Sequence, residues 1–169
     1  MRHAKNIATL IFDCNELLYD IKNYCYIEGD LMDRQDEHAN HHVYDVGENG
    51  NADRVTRTLD LAFSKCVELC YPYSKKELST KTRHDDELEE KDEYVLRLKL
   101  PEGFSETTVT LLETLIHELL VYRAMEDWMS ITKPESKENW REKAEEAERE
   151  IQSALNTRMG RVRRRLSTF

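Results

Sequence analysis

The side chains in this 169-residue chain that could do chemistry fall into four groups. His38, His41 and His42 lie in EHANHHVYD beside Asp36, Glu37 and Asp45, and imidazoles at this spacing could give two ligands to a divalent metal. Nothing elsewhere completes a recognised ligand pattern, and polar loops often collect histidines, so no bound metal is expected. Cys66 and Cys70, in CVELC, stand four apart and share a helical face. That face is apolar, and Cys14 with Cys25 has no zinc-like spacing, so these thiols read as small core hydrophobes. His117-Glu118 opens like a zinc-protease helix, but the chain goes on as Val121-Tyr122 where a second histidine is needed. There is no phosphate-cradling glycine loop and no nucleophile elbow. The expectation is a protein without catalytic residues, metal or cofactor.

The fourth group is the strongest signal. Arg158, Arg161, Arg163, Arg164 and Arg165 crowd the ending RMGRVRRRLSTF, which holds no acid. Arginine forks bind phosphate or carboxylate in pairs of hydrogen bonds, and several together give salt-dependent affinity for a polyanion. No aromatic residues interleave, so base stacking is not indicated. Leu166 and Phe169 add apolar side chains that could dock in a neighbour's groove.

The rest of the chain must position that ending. The whole sequence carries −9, and the ending contributes +5, so residues 1–157 sum to −14. An acidic body with a basic tip repels copies of itself laterally while offering the tip to an anionic partner. Charged residues are 35% against 39% hydrophobic, and glycine and proline number only 5 and 3. Long helices tolerate that scarcity, whereas a many-turned β-sandwich does not. No apolar run approaches the roughly 20 residues of a membrane span. The run IATLIF near the start ends at Asp13 without a small-residue cleavage site, so no secretory signal is expected. Four cysteines in such a chain read as reduced thiols of a soluble intracellular protein.

Residues 7–12 form a short β-rich run, and YVLRLKL at 94–100 alternates like a half-buried strand, its natural partner. The first helix is expected over about 15–32, capped by Asp13 or Asn15, with Leu17, Leu18, Ile21, Tyr24, Cys25 and Ile27 as its stripe. Residues 33–52 read as a loop in which VYDV adds a short extended piece. The second helix spans about 52–71, with Asp53 in its first turn and Pro72 as its stop; Val55, Leu59, Ala62, Phe63, Cys66, Val67 and Cys70 share a face. Residues 74–93 form an acidic, solvated or mobile loop, since DDELEEKDE packs seven acids into nine positions.

The third helix, about 105–131, is apolar on more than one face and must be covered from several sides, within the fold or between subunits. The fourth begins at Thr132-Lys133-Pro134-Glu135, read as a threonine cap with a returning glutamate, and runs to about Arg158, with Gly160 as its stop. Leu112, Ile116, Leu119 and Trp128 of the third helix, with Trp140 and Ile151 of the fourth, are the expected core or interface. The fold expected is mainly α: a bundle of about four helices with a small two-stranded β element. Residues 1–157 make one helical domain and 158–169 a basic C-terminal arm.

The stretches LLYDIKNYCYIEGD, ADRVTRTLDLAFSKCVELCYPY, LIHELLVYRAMEDWMSITKPESKENW and TRMGRVRRRLSTF resemble a group of uncharacterised proteins of Bacteroidales phages and prophages. They cover most of the chain, and none is a mechanistic motif. The resemblance implies a virion-morphogenesis role, such as a head–tail connector, neck or tail-completion subunit that forms a homo-oligomeric ring. It also implies portal, connector or tail proteins as partners, and location in the virion after synthesis in the host cytoplasm. The alternative expectation is a nucleic-acid-associated accessory protein whose arm makes non-specific DNA contacts. A third is a small metal-dependent enzyme built on the histidine loop.

Overall fold

A computed structural model describes residues 6–31, 37–71, 73–78, 84–85 and 87–157. Strand β1 (Asn6–Asp13) runs antiparallel to β2 (Glu93–Leu100), with Asn6 opposite Leu100 and Asp13 opposite Glu93. Alternation sets the faces. Leu10, Phe12, Tyr94, Leu96, Leu98 and Leu100 turn inward and are buried, while Ile7, Thr9 and Ile11 stay exposed. A turn at Pro101–Phe104 leads out of β2, and Gly103 takes φ +82°, the left-handed position that such a turn reserves for glycine.

Five helices are described: α1 (Cys14–Asp30), α2 (Glu37–Tyr44), α3 (Asn49–Leu69), α4 (Glu106–Thr132) and α5 (Pro134–Thr157). Asp13 caps α1, its carboxylate accepting from the Asn15 amide at 2.8 Å and the Glu16 amide at 3.1 Å. The mainly helical fold with a small antiparallel β element is as expected. So are the apolar face of α3 and the third and fourth helices within a residue or two of their expected bounds.

The centre of the molecule is α4. Its buried side chains include Leu112, Leu115, Ile116, Leu119, Leu120, Val121, Met125, Trp128 and Met129, and they point in every direction around the axis. The chain itself supplies their cover. Helix α5 folds back along α4, α3 and α1 pack on other sides, and α2 and β1 close the remainder. Most of the apolar surface of α4 is therefore covered within the chain, while Leu111 and Ile131 stay exposed.

Several local expectations are corrected. Residues 33–52 are not a loop with an extended piece: α2 and a 3-10 turn at Asp45–Gly47 occupy much of the stretch, and α3 already begins at Asn49. Asp53 consequently lies beyond the first turn of α3. On α1, Ile27 is exposed and Glu28 is buried in its place, because the inward line runs Leu17, Ile21, Cys25, Glu28. Thr132 does not cap α5; its hydroxyl donates back to the Trp128 carbonyl of α4 at 3.0 Å. The acidic loop shows no helix or strand among its described residues up to Asp92, but Glu93 already belongs to β2, and Ser74 at its start is buried and donates to the Val67 carbonyl. The expected stops Pro72 and Gly160 lie outside the described residues.

Candidate functional site

None of the thiols is placed for nucleophilic work. Burial pushes Cys25, Cys66 and Cys70 each up to about 12, helped by Glu28 at Cys25 and by Cys70 and Glu148 at Cys66. Partial burial and then Asp13, Asp60 and Asp92 also raise Cys14. His41 and His42 are exposed on α2. Among the described residues, no group of three histidine, cysteine or acidic side chains could hold a metal ion.

The expected core or interface residues all belong to the core. Leu112, Ile116, Leu119, Trp128, Trp140 and Ile151 are buried within the one chain. The Trp128 indole donates to the Val43 carbonyl at 3.0 Å and so ties α2 to α4. The arm residues Arg158, Arg161, Arg163, Arg164, Arg165 and Phe169 lie outside the described residues.

Two polar sites join α1 to the α4–α5 pair, and sequence reasoning missed both. At the far end of α1, the buried Glu28 carboxylate accepts from Lys133 Nζ at 2.7 Å, Ser136 Oγ at 3.0 Å and Trp140 Nε1 at 2.9 Å. Burial works against its charge, but these three donors and the Lys133 cation outweigh that penalty and hold the carboxyl below its ordinary range. The site clamps α1 onto the junction where α4 turns into α5. A glutamate falling on the apolar line of α1 was the available signal, since a charge placed there requires buried partners.

Nearer the start of α1, His117 of α4 meets Asp20, Nε2 to Oδ2, at 2.8 Å. They stand in a groove of about 450 Å³ between α1 and α4, which opens beside Ile11 and Phe12 of β1. Its charged lining is Glu16, Asp20, Glu113 and Glu118, and among the described residues no lysine or arginine lines it. Tyr24 and Tyr122 also line it, and burial and then Glu118 raise the Tyr122 phenol. A histidine oriented by an aspartate could move a proton. The Thr114 hydroxyl in the same groove donates to the Thr110 carbonyl instead, and the surrounding carboxylates favour a cationic occupant over an anionic substrate.

A third charged site sits on the opposite flank of α4. Arg123 donates to Glu126 at 2.6 Å and to Glu148 of α5 at 2.7 Å. Burial opposes the charge, but the two carboxylates raise the guanidinium pKa and keep it cationic. This pair fixes the pairing of α5 along α4: the helices run antiparallel, so Thr157 stands level with the Glu113 end of α4.

Among the described residues, no helix is long and apolar enough to cross a membrane. No family model, curated protein or solved structure matches the chain.

Proposed function

We propose that this chain is a non-enzymatic structural subunit of a phage virion, of head–tail connector, neck or tail-completion type. It assembles into an oligomeric ring, and its C-terminal arm grips a neighbouring subunit. The observation that carries this reading is the charge division: five arginines and no acid in residues 158–169, against −14 over residues 1–157. An arm of that sign matches the body of another copy better than it matches anything apolar. Because the chain itself covers most of α4, the reading looks first to the arm and the exterior for subunit contacts. A ring needs a head-to-tail contact, in which one surface of each copy meets a different surface of the next. An arm and its receptor site are such a pair.

Light scattering after size exclusion, negative-stain imaging and a search for the chain in purified particles test the proposal. Oligomers of ring shape and presence in the particle are expected; a strict monomer absent from particles overturns it. The arginines also favour a second reading, an accessory factor that neutralises nucleic-acid phosphates. In that case removing residues 158–169 abolishes DNA binding and flattens its salt dependence. No DNA affinity at low salt eliminates it.

A further inference from the structure

The β1 edge and the acidic groove are adjacent, and together they describe a receptor for an extended cationic segment. The Lys99 amide donates to the Tyr73 carbonyl at 2.8 Å, so the backbone groups of Lys99 point away from β1. Antiparallel pairs alternate between facing and averted backbone groups, and Ile7 is opposite Lys99. Ile7, Thr9 and Ile11 therefore also turn their N–H and C=O groups outward, on the side of β1 away from β2. The Cys14 amide bond to the Asp92 carbonyl, at 2.9 Å, is in the same phase. Among the described residues, no backbone hydrogen bond outside the β1–β2 ladder reaches these three.

Natural sheet edges are usually blunted by charge, proline, a bulge or a covering loop. The run Asn6–Phe12 carries no charge and no proline, and its register against β2 is unbroken. Its outer face shows Ile7 at 66% and Ile11 at 52% exposure. A strand added at this edge would place its inward side chains over the groove lined by Glu16, Asp20, Glu113 and Glu118.

We infer that the occupant is the C-terminal arm of a neighbouring copy, added to β1 as a third strand. This rests on the ring reading above and names the surface that receives the arm. The arm has the required two-residue alternation: Arg161, Arg163 and Arg165 fall on one face, and Val162, Arg164 and Leu166 on the other. Three arginines meet the groove carboxylates, while Val162 and Leu166 lie beside Ile7 and Ile11 on the outer face. Main-chain bonds at Ile7, Thr9 and Ile11 supply the affinity common to any strand, and the alternation supplies the selection. Head-to-tail insertion of this kind propagates from copy to copy.

The test is a charge exchange in the full-length chain, read by light scattering, with circular dichroism confirming an unchanged fold. Glu113→Lys with Glu118→Lys alters the groove, and Arg163→Glu with Arg165→Glu alters the arm; each pair alone is expected to leave the protein monomeric. Mixing the two variants restores association, because each arm then finds an opposite charge on the other copy. Recovery in a single chain carrying all four changes, without rescue in the mixture, means the arm folds onto its own groove and overturns the neighbour assignment. Thr9→Pro removes an outward N–H that β2 does not use, and it should weaken association by about tenfold or more. A synthetic peptide of residues 158–169 should compete with assembly, whereas a permuted peptide with its arginines in one block should not. Equal competition by both reduces the contact to bulk electrostatics and overturns strand addition. Rings that persist in every variant sink this inference and leave the ring reading standing; a wild-type chain that stays monomeric while binding the peptide overturns both the ring and the neighbouring copy as occupant.

Discussion

Helix α1 meets the α4–α5 pair at two places, and they handle charge in opposite ways. Around Glu28 the carboxylate is buried and each of its oxygens has a donor. Around Asp20 the carboxylate is 41% exposed, meets one histidine, and shares an open groove with three further acids. A buried charge needs fixed partners to offset its lost hydration, so the first site can only be a clasp. An exposed charge keeps its water and can exchange it for a visiting cation, so the second is free to bind. The contrast separates a site that holds this chain together from one that we infer receives a partner.

The largest break in that contrast is expected from Glu28→Ala. It strands Lys133, Ser136 and the Trp140 N–H and should lower the unfolding free energy by about 3–5 kcal/mol in urea titration. A loss below about 1 kcal/mol would show that solvent already reaches the site. Trp140→Phe is the milder cut. It keeps a ring against Tyr24 and Tyr122 but removes one donor to a charged acceptor, at a cost of about 1.5–3 kcal/mol.

Acid should erase the clasp selectively. Because the folded state holds the Glu28 carboxyl below its ordinary 4.5, its contribution is complete above that pH. It is lost as pH falls through the lower, folded value. The stability gap between wild type and Glu28→Gln, measured by thermal melts, should therefore shrink from about pH 7 to about pH 3. A gap that widens in acid would reverse the assigned sign.

The smallest effect belongs to the groove. Asp20→Asn should change stability by no more than about 1 kcal/mol, as for other solvent-exposed ion pairs. A large loss there would mean that the groove is structural too, and the contrast between the two sites would collapse.

Much of the fold was legible because its periodicities are strong. The alternation in YVLRLKL located β2, and the one-sided apolar residues of α3 located that helix. The all-round apolar character of α4 placed it at the centre, although it could not distinguish cover by the same chain from cover by a neighbour. What escaped was decided by tertiary contact. Helix α2 is eight residues long, and Val43 is its only buried side chain among those described; Trp128 anchors it from outside. No periodicity can announce so short an element. The reading at Thr132 failed because its hydroxyl had a nearer acceptor on the preceding turn of α4. The groove was invisible for another reason: Asp20 and His117 stand far apart in sequence and meet only after α1 lies along α4.

The pairing of β1 with β2 also bears on how the chain is made. Asp13 must wait for Glu93, about 80 positions later, and closing a loop of that length costs roughly 4 kcal/mol of chain entropy. During synthesis the uncharged run Asn6–Phe12 therefore emerges long before its proper strand exists. Crowded ribosomes on one message would hold many such unpaired segments close together, so yield in a recombinant host should depend on translation rate and temperature.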